Sequence, residues 1–107
     1  MTDKEIRQAA RSFRKGMLGK RQSRLMCFAI CAPLQAMLSI CGCDTELVEA
    51  DFGDMNHVWL RLSDGRILDP TADQFGLAPV YLGPVPIEYR KLMRNKRRRP
   101  SGTGGET

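Results

Sequence analysis

The tripeptide Ser63-Asp64-Gly65 separates two strand-like runs, and this spacing constrains the fold of the chain more than any other feature. A three-residue loop with glycine in the third position is typical of a β-hairpin that closes with a type I turn followed by a left-handed residue. The sequence therefore predicts a strand over 57–62 that pairs in antiparallel fashion with a strand over 66–69.

The register of this hairpin determines which side chains share a face of the sheet. A three-residue loop places Leu60 opposite Leu68. It therefore also places Trp59 opposite Asp69. His57 is the only histidine of the chain and lies two residues before Trp59, so we expect it on the same face, as a diagonal neighbour of Asp69. A two-residue turn would move Asp69 to the other face, because the side-chain period of a strand is two.

Cys27 is the candidate nucleophile for this pair. It begins an apolar, helix-like run that ends at Gly42. The amides at a helix N-terminus favour a thiolate by up to about 2 kcal/mol, and a neighbouring imidazolium contributes more. A thiol, an imidazole base and a carboxylate that orients the base form a thiol acyl-transfer site. We therefore predict that Cys27, His57 and Asp69 are catalytic.

Further residues are candidates for the same site. The oxyanion that forms when a thiolate attacks a carbonyl needs hydrogen-bond donors. The backbone amide of Cys27 is the first candidate donor, and the side chain of Gln22 is a second. Trp59 is predicted to form a wall of the site and to exclude water. Asp73 is the alternative to Asp69 as the orienting acid, should the hairpin register slip.

The motifs that carry these residues resemble those of the transglutaminase-like, papain-fold cysteine enzymes. Cys27–Cys31 is similar to the start of the nucleophile helix in papain-like proteases. His57-Val58-Trp59 resembles the transglutaminase-like His-Ala-Trp, and Asp69-Pro70-Thr71 resembles the Asp-Pro-Thr of that family's next strand. The resemblance covers about residues 22–75. It implies an α+β domain whose nucleophile helix packs on a small antiparallel sheet. It also implies that Cys27 is the nucleophile, His57 the base and Asp69 the orienting acid.

The length of the chain predicts a single compact domain over residues 1–95, and the lack of apolar residues over 96–107 predicts a disordered, basic and glycine-rich tail. Pro33 lies inside the helix predicted over 27–41, which indicates a distorted first turn or a regular helix that begins only near Ala32. The other predicted elements are a capped amphipathic helix over 3–15, strands over 46–52 and 80–82, and a short helix over 87–93.

The net charge of +5 is unevenly distributed along the chain. Residues 1–26 hold eight basic against two acidic residues, residues 27–88 hold two against nine, and residues 89–107 hold seven against one. Basic ends are typical of binding to nucleic acid or to an acidic partner, and Arg97, Arg98 and Arg99 are candidate contacts. Because no aromatic residues alternate with them, binding of nucleic acid would be sequence-independent and salt-sensitive. The basic ends equally suit docking on the acidic middle.

Composition also bears on location and cofactors. No run approaches the roughly 20 apolar residues that span a bilayer, and the first residues lack the apolar block of a secretory signal. We therefore expect a cytoplasmic protein whose four cysteines are thiols. Cys41 and Cys43, taken with His57, do not have the spacing of a zinc site, so we expect no metal and no cofactor.

Two functions follow from this sequence. The first is an enzyme that acts on the amide bond of a peptide or other amide substrate, by hydrolysis or by acyl transfer to an amine. The alternative is an inactive module of the same fold that binds nucleic acid or an acidic partner through its basic ends. Since the superfamily includes proteases, amide cross-linkers, deamidating enzymes and inactive relatives, the fold does not identify the substrate.

Overall fold

The computed structural model describes residues 1–18, 26–53 and 55–98 of the 107-residue chain, with side chains as far as Met93. In chain order the elements are α1 (Asp3–Leu18), α2 (Cys27–Ile40), β1 (Thr45–Asp51), β2 (Asn56–Leu62), β3 (Ile67–Asp69), a 3-10 helix (Ala72–Phe75), β4 (Tyr81–Gly83) and α3 (Ile87–Arg98). The predicted α+β class is confirmed.

In the described part of the chain, four strands form an antiparallel sheet in the order β1-β2-β3-β4. Leu60 pairs with Leu68 in the central hairpin. The N–H of Leu62 donates to the carbonyl of Arg66 at 2.8 Å, and the N–H of Gly65 donates to the carbonyl of Leu62 at 3.0 Å. Gly65 has a φ of 90°, which is the left-handed conformation that the predicted turn requires. The three-residue turn and its register are therefore confirmed.

Successive side chains of a strand point to opposite faces of the sheet. Around β2 both faces are buried, because helices cover the sheet on each side. On one face Val58 and Leu60 of β2 pack with α1 and α2, whose contributions are Ile6, Ala10, Cys27, Cys31, Leu34 and Leu38. On the other face Trp59 packs against α3 in a second cluster that contains Ala50, Phe52, Ile67 and Tyr89. β2 is therefore the central element of the fold, and His57, two residues before Trp59, lies on the face that α3 covers.

The N-terminal helix α1 begins with the predicted capping box. The N–H of Thr2 donates to Oε1 of Glu5 at 2.8 Å, and the N–H of Glu5 donates to Oγ1 of Thr2 at 3.1 Å. Further along the helix, Arg14 donates to the carbonyl of Pro70 at 2.8 Å and to both carboxylate oxygens of Asp73 at 3.0 and 2.9 Å. At this position the basic N-terminal arm docks on the acidic middle of the chain.

Helix α2 is regular from its first residue. The N–H of Ile30 donates to the carbonyl of Met26 at 3.0 Å, so the predicted late start near Ala32 is wrong. Pro33 lies inside the helix with its side chain exposed to solvent, where the ring displaces no core side chain. Burial of the opposite face of the helix, which contributes about 1.5–3 kcal/mol for each large aliphatic side chain, outweighs the cost of the proline.

The basic ends of the chain are described only in part. α3 extends to Arg98, so it overlaps the beginning of the tail predicted over 96–107. The described residues do not include the segments 19–25 and 99–107, the second of which begins with Arg99. A nucleic-acid or acidic partner for the basic ends stays a prediction. Among the helices that are described, none has both the length and the apolar content needed to cross a bilayer.

Pro33→Ala is expected to raise the free energy of unfolding by about 1–3 kcal/mol, because alanine restores the N–H that proline lacks and removes the clash of the ring with the preceding turn. Equilibrium denaturation in urea measures the change. Pro79→Ala is the matched control, since Pro79 is exposed in a bend outside any helix, and we expect it to lower stability by less than about 1 kcal/mol. A Pro33→Ala protein of unchanged or lower stability would show that Pro33 does not destabilise α2.

Candidate active site

Three elements bring the predicted catalytic residues together. Cys27 is the first residue of α2, His57 is the second residue of β2, and Asp69 is the last residue of β3. α2 packs on β2, and β2 pairs with β3. Cys27 and His57 are close enough for each to shift the pKa of the other, and His57 contacts Asp69. Cys27 is 6% exposed, and His57 and Asp69 are fully buried.

The imidazole of His57 is oriented by Asp69. Nε2 of His57 lies 2.5 Å from Oδ2 of Asp69, which places the Nε2 proton in a hydrogen bond to the carboxylate. Nδ1 is buried and has no hydrogen-bond partner among the described residues. Besides Asp69, the Cys27 thiol is the ionisable group that acts on the ring. Nδ1 is therefore the nitrogen available to take the thiol proton, in the loose geometry that is common before a substrate binds.

The pKa values of the thiol and the ring are shifted in opposite directions. Burial is the largest single influence on Cys27 and raises its pKa, but His57 and the backbone amides of Val58 and Phe28 together lower it below its ordinary value. Burial is likewise the largest single influence on His57 and lowers its pKa, but Asp69 and Cys27 together raise it to about 9. Both net shifts favour a thiolate–imidazolium pair.

The Asp69 carboxylate is fully buried, and four donors among the described residues bind it. Its Oδ2 accepts from Nε2 of His57 and from the hydroxyl of Tyr89. Its Oδ1 accepts from the N–H of Thr71 at 2.9 Å and from Oγ1 of Thr71 at 3.2 Å. These donors match the roughly four lone-pair sites of an ionised carboxylate, so the acid is held in one orientation.

Sequence reasoning did not assign Thr71 and Tyr89 to the site. The sequence analysis named Thr71 only as part of the Asp-Pro-Thr motif. A residue two positions after an aspartate often donates its N–H to that side chain, and this pattern could have identified the contact. Tyr89 lies twenty residues after Asp69 in a separate helix, and no local pattern links the two.

Four aromatic rings surround the imidazole of His57. Their centroids lie 4.6 Å (Phe75), 5.5 Å (Phe52), 5.6 Å (Tyr89) and 5.8 Å (Trp59) from the centroid of the imidazole. Trp59 thus lies beside His57, together with three rings that the sequence analysis did not identify, and its role as a wall of the site stays a prediction. Because the rings keep water from the ion pair, the electrostatic interactions within it are strengthened.

Val58 of β2 binds α2 through its backbone. The thiol of Cys31 donates to the carbonyl of Val58 at 3.6 Å, and the N–H of Val58 is one of the groups that favour the thiolate of Cys27. Cys31 lies one turn after Cys27 and is fully buried, and burial raises its pKa. Cys31 is therefore an unreactive core thiol that helps to hold Cys27 in position.

The other candidate residues lie elsewhere. Asp73 is exposed and is paired with Arg14 through both carboxylate oxygens, so its assignment as the alternative acid is wrong: Asp69 is the carboxylate that binds His57. Gln22 lies outside the described residues, and its role as an oxyanion donor stays a prediction. Within residues 1–18, 26–53 and 55–98, no group of three or more His, Cys, Asp or Glu side chains is placed to hold a metal ion.

No protein-family model, no curated protein and no solved structure matches the chain. The similarity of its motifs to the transglutaminase-like enzymes therefore remains a resemblance of short segments.

Asp69→Asn is expected to lower the pKa of His57 from about 9 toward or below its ordinary value of 6.5. The reason is that burial, which disfavours the charged ring, then acts without the carboxylate that opposes it. Because the chain has one histidine, NMR titration of a single imidazole signal measures the shift. Asp73→Asn removes the same charge from the 3-10 helix that follows β3 and is expected to leave the pKa near 9. An equal shift in both variants would contradict the assignment of Asp69.

Proposed function

We propose that this protein is a thiol-dependent acyl-transfer enzyme that acts on an amide bond, with Cys27 as nucleophile, His57 as base and Asp69 as orienting acid. The observation that carries the proposal is the buried contact of Asp69 with Nε2 of His57, at 2.5 Å. This contact leaves Nδ1 without a partner among the described residues, and His57 helps to lower the pKa of Cys27. A core histidine with a purely structural role needs partners for both nitrogens, whereas a base needs one nitrogen free.

The arrangement supports a two-step reaction. The Cys27 thiolate attacks the substrate carbonyl, so a carbon–sulfur bond forms and the carbonyl oxygen becomes an oxyanion. When the intermediate collapses, the carbon–nitrogen bond breaks and the His57 imidazolium gives its Nδ1 proton to the leaving amine. His57 then takes a proton from water or from a second amine, which attacks the thioester. Cys27 leaves as a thiolate, and His57 is again an imidazolium.

The oxyanion in this mechanism is bound at the start of α2. The first amides of a helix have no intrahelical partner, and the backbone amide of Cys27 belongs to this group. A donor at that position lies next to the carbonyl carbon that the sulfur attacks, as an oxyanion hole requires. The electrostatic contribution of a single such donor is about 3–4 kcal/mol in other enzymes.

We further propose that the fold is a compact version of the transglutaminase-like papain fold. Support comes from the order of its parts: α2 begins at the nucleophile, and consecutive antiparallel strands carry the base and then the acid. Thirty residues separate Cys27 from His57, and twelve separate His57 from Asp69. These short connections leave little chain for the walls of a cleft, which suits a substrate that is itself an extended or flexible segment.

Cys27 is expected to react with iodoacetamide faster than Cys41 at pH 6–7, although Cys41 is exposed and Cys27 is only 6% exposed. The reason is that His57 holds Cys27 as a thiolate, which is the reactive form. Mass mapping of the alkylated peptides gives both rates in one sample. His57→Ala is expected to slow Cys27 roughly tenfold or more and to leave Cys41 unchanged. Equal and slow labelling of Cys27 in both proteins would instead favour the inactive interaction module.

Cys27→Ala is expected to abolish turnover of peptide anilides and activated esters while the circular dichroism spectrum stays unchanged, because Cys27 is the thiol that acts on His57. Cys41→Ala is the matched control and is expected to retain the activity. Mass spectrometry should detect an acyl group on Cys27 of the unaltered protein. When a primary amine is added, hydrolysis yields the free acid, whereas acyl transfer yields the amide of the added amine. Activity that survives in Cys27→Ala would exclude the mechanism.

A further inference from the structure

Tyr89 contacts the acid of the site from an element that carries none of the three catalytic residues. It belongs to α3, on the sheet face opposite α1 and α2, and it is fully buried. Its hydroxyl donates to Oδ2 of Asp69, the same oxygen that binds Nε2 of His57. One carboxylate oxygen is therefore shared between the base and the tyrosine.

We propose that Tyr89 is a positioning residue that sets the basicity of His57, because it competes with the imidazole for Oδ2 of Asp69. The proposal rests on the function proposed above for the use that the protein makes of this base. Through Tyr89, helix α3 then belongs to the site. The proton affinity of His57 depends on where this helix places the tyrosine hydroxyl.

The surroundings of Tyr89 suit a donor that keeps its proton. Burial, followed by the charge of Asp69, raises the pKa of Tyr89, and Tyr81 and Glu88 act in the same direction. The hydroxyl is therefore neutral, and donates, across the pH range in which a thiol enzyme works. The titratable groups that face His57 are Cys27 from α2, Asp69 from β3 and Tyr89 from α3, and its other described ring neighbours are uncharged: Phe52, Phe75 and Trp59.

The direction of the effect follows from the charge on the shared oxygen. A hydrogen bond from Tyr89 withdraws negative charge from Oδ2 and so weakens the stabilisation of the imidazolium. Without that hydroxyl, Asp69 keeps the two donors of Thr71 on Oδ1, and His57 becomes the donor on Oδ2. Removal of the hydroxyl therefore raises the pKa of His57, and a stronger donor at the same position lowers it.

The first test is NMR titration of the single histidine in the full-length chain, with Tyr89→Phe compared with the unaltered protein. We expect the pKa of His57 to rise by about 0.5–1 in Tyr89→Phe, which corresponds to one hydrogen bond to a charged group shared between two partners. Tyr81→Phe is the matched control, because the Tyr81 hydroxyl donates to the carbonyl of Pro84 and not to Asp69, and it is expected to leave the pKa unchanged. A residue that only fills space would lower the melting temperature of Tyr89→Phe without moving the titration, and that result would overturn the proposal.

A second test does not depend on how well Tyr89→Phe folds. The chain has two tyrosines, so growth of Tyr81→Phe protein on 3-fluorotyrosine labels Tyr89 alone. The fluorinated phenol is more acidic and donates more strongly, so the pKa of His57 is expected to fall relative to unlabelled Tyr81→Phe protein. An unchanged or raised pKa would overturn the proposal.

These titrations are independent of the proposed enzyme activity, since they need no substrate. A pKa of His57 that responds to Tyr89 in a protein without reactive Cys27 would reject the enzyme and keep the coupling. A reactive Cys27 beside a His57 that ignores Tyr89 would keep the enzyme and reject the coupling.

Discussion

The buried carboxylate of Asp69 is the interaction on which the rest of this structure depends. An ionised carboxylate without partners is costly to bury, by several kcal/mol even after relaxation. Here its donors come from β2 (His57), from the turn after β3 (Thr71) and from α3 (Tyr89). Because no single element supplies enough of them, the charge is accommodated only when all these parts have assembled. Formation of the site and completion of the fold are therefore one event.

Two opposing effects act on the pKa of His57, and the same carboxylate helps to decide which of them is larger. Four aromatic rings remove water from the imidazole, which disfavours its charged form, and yet the pKa rises from 6.5 to about 9. A rise of that size means that pairing with Asp69 and Cys27 exceeds the desolvation cost by on the order of 3 kcal/mol. The aromatic shell is thus compatible with a charged base, and it protects the ion pair from the screening that weakens exposed pairs.

Asp69 and Asp73 show how surroundings separate two residues that look alike in the sequence. Asp69 is the last residue of the central hairpin, and Asp73 follows it by four positions. Asp69 is buried and binds His57, whereas Asp73 is exposed and forms a two-point ion pair with Arg14. Arg14 also binds the carbonyl of Pro70, so α1 braces the turn that follows the acid. Helix α1 of the N-terminal arm therefore supports the turn after Asp69.

The 3-10 helix over Ala72–Phe75 was not predicted from the sequence. Local spacing was enough to predict the three α-helices and four strands, the capping box of α1, the three-residue turn and the hairpin register that puts His57 and Asp69 on one face. Each of these depends on backbone geometry over a few residues. Packing between elements decided the rest: the donor from Tyr89, the rings of Phe52 and Phe75, and the pairing of Asp73. The physical reason is that such contacts join residues far apart in the chain. Their distances depend on how helices seat on both faces of the sheet, and no repeat or spacing in the sequence encodes that placement.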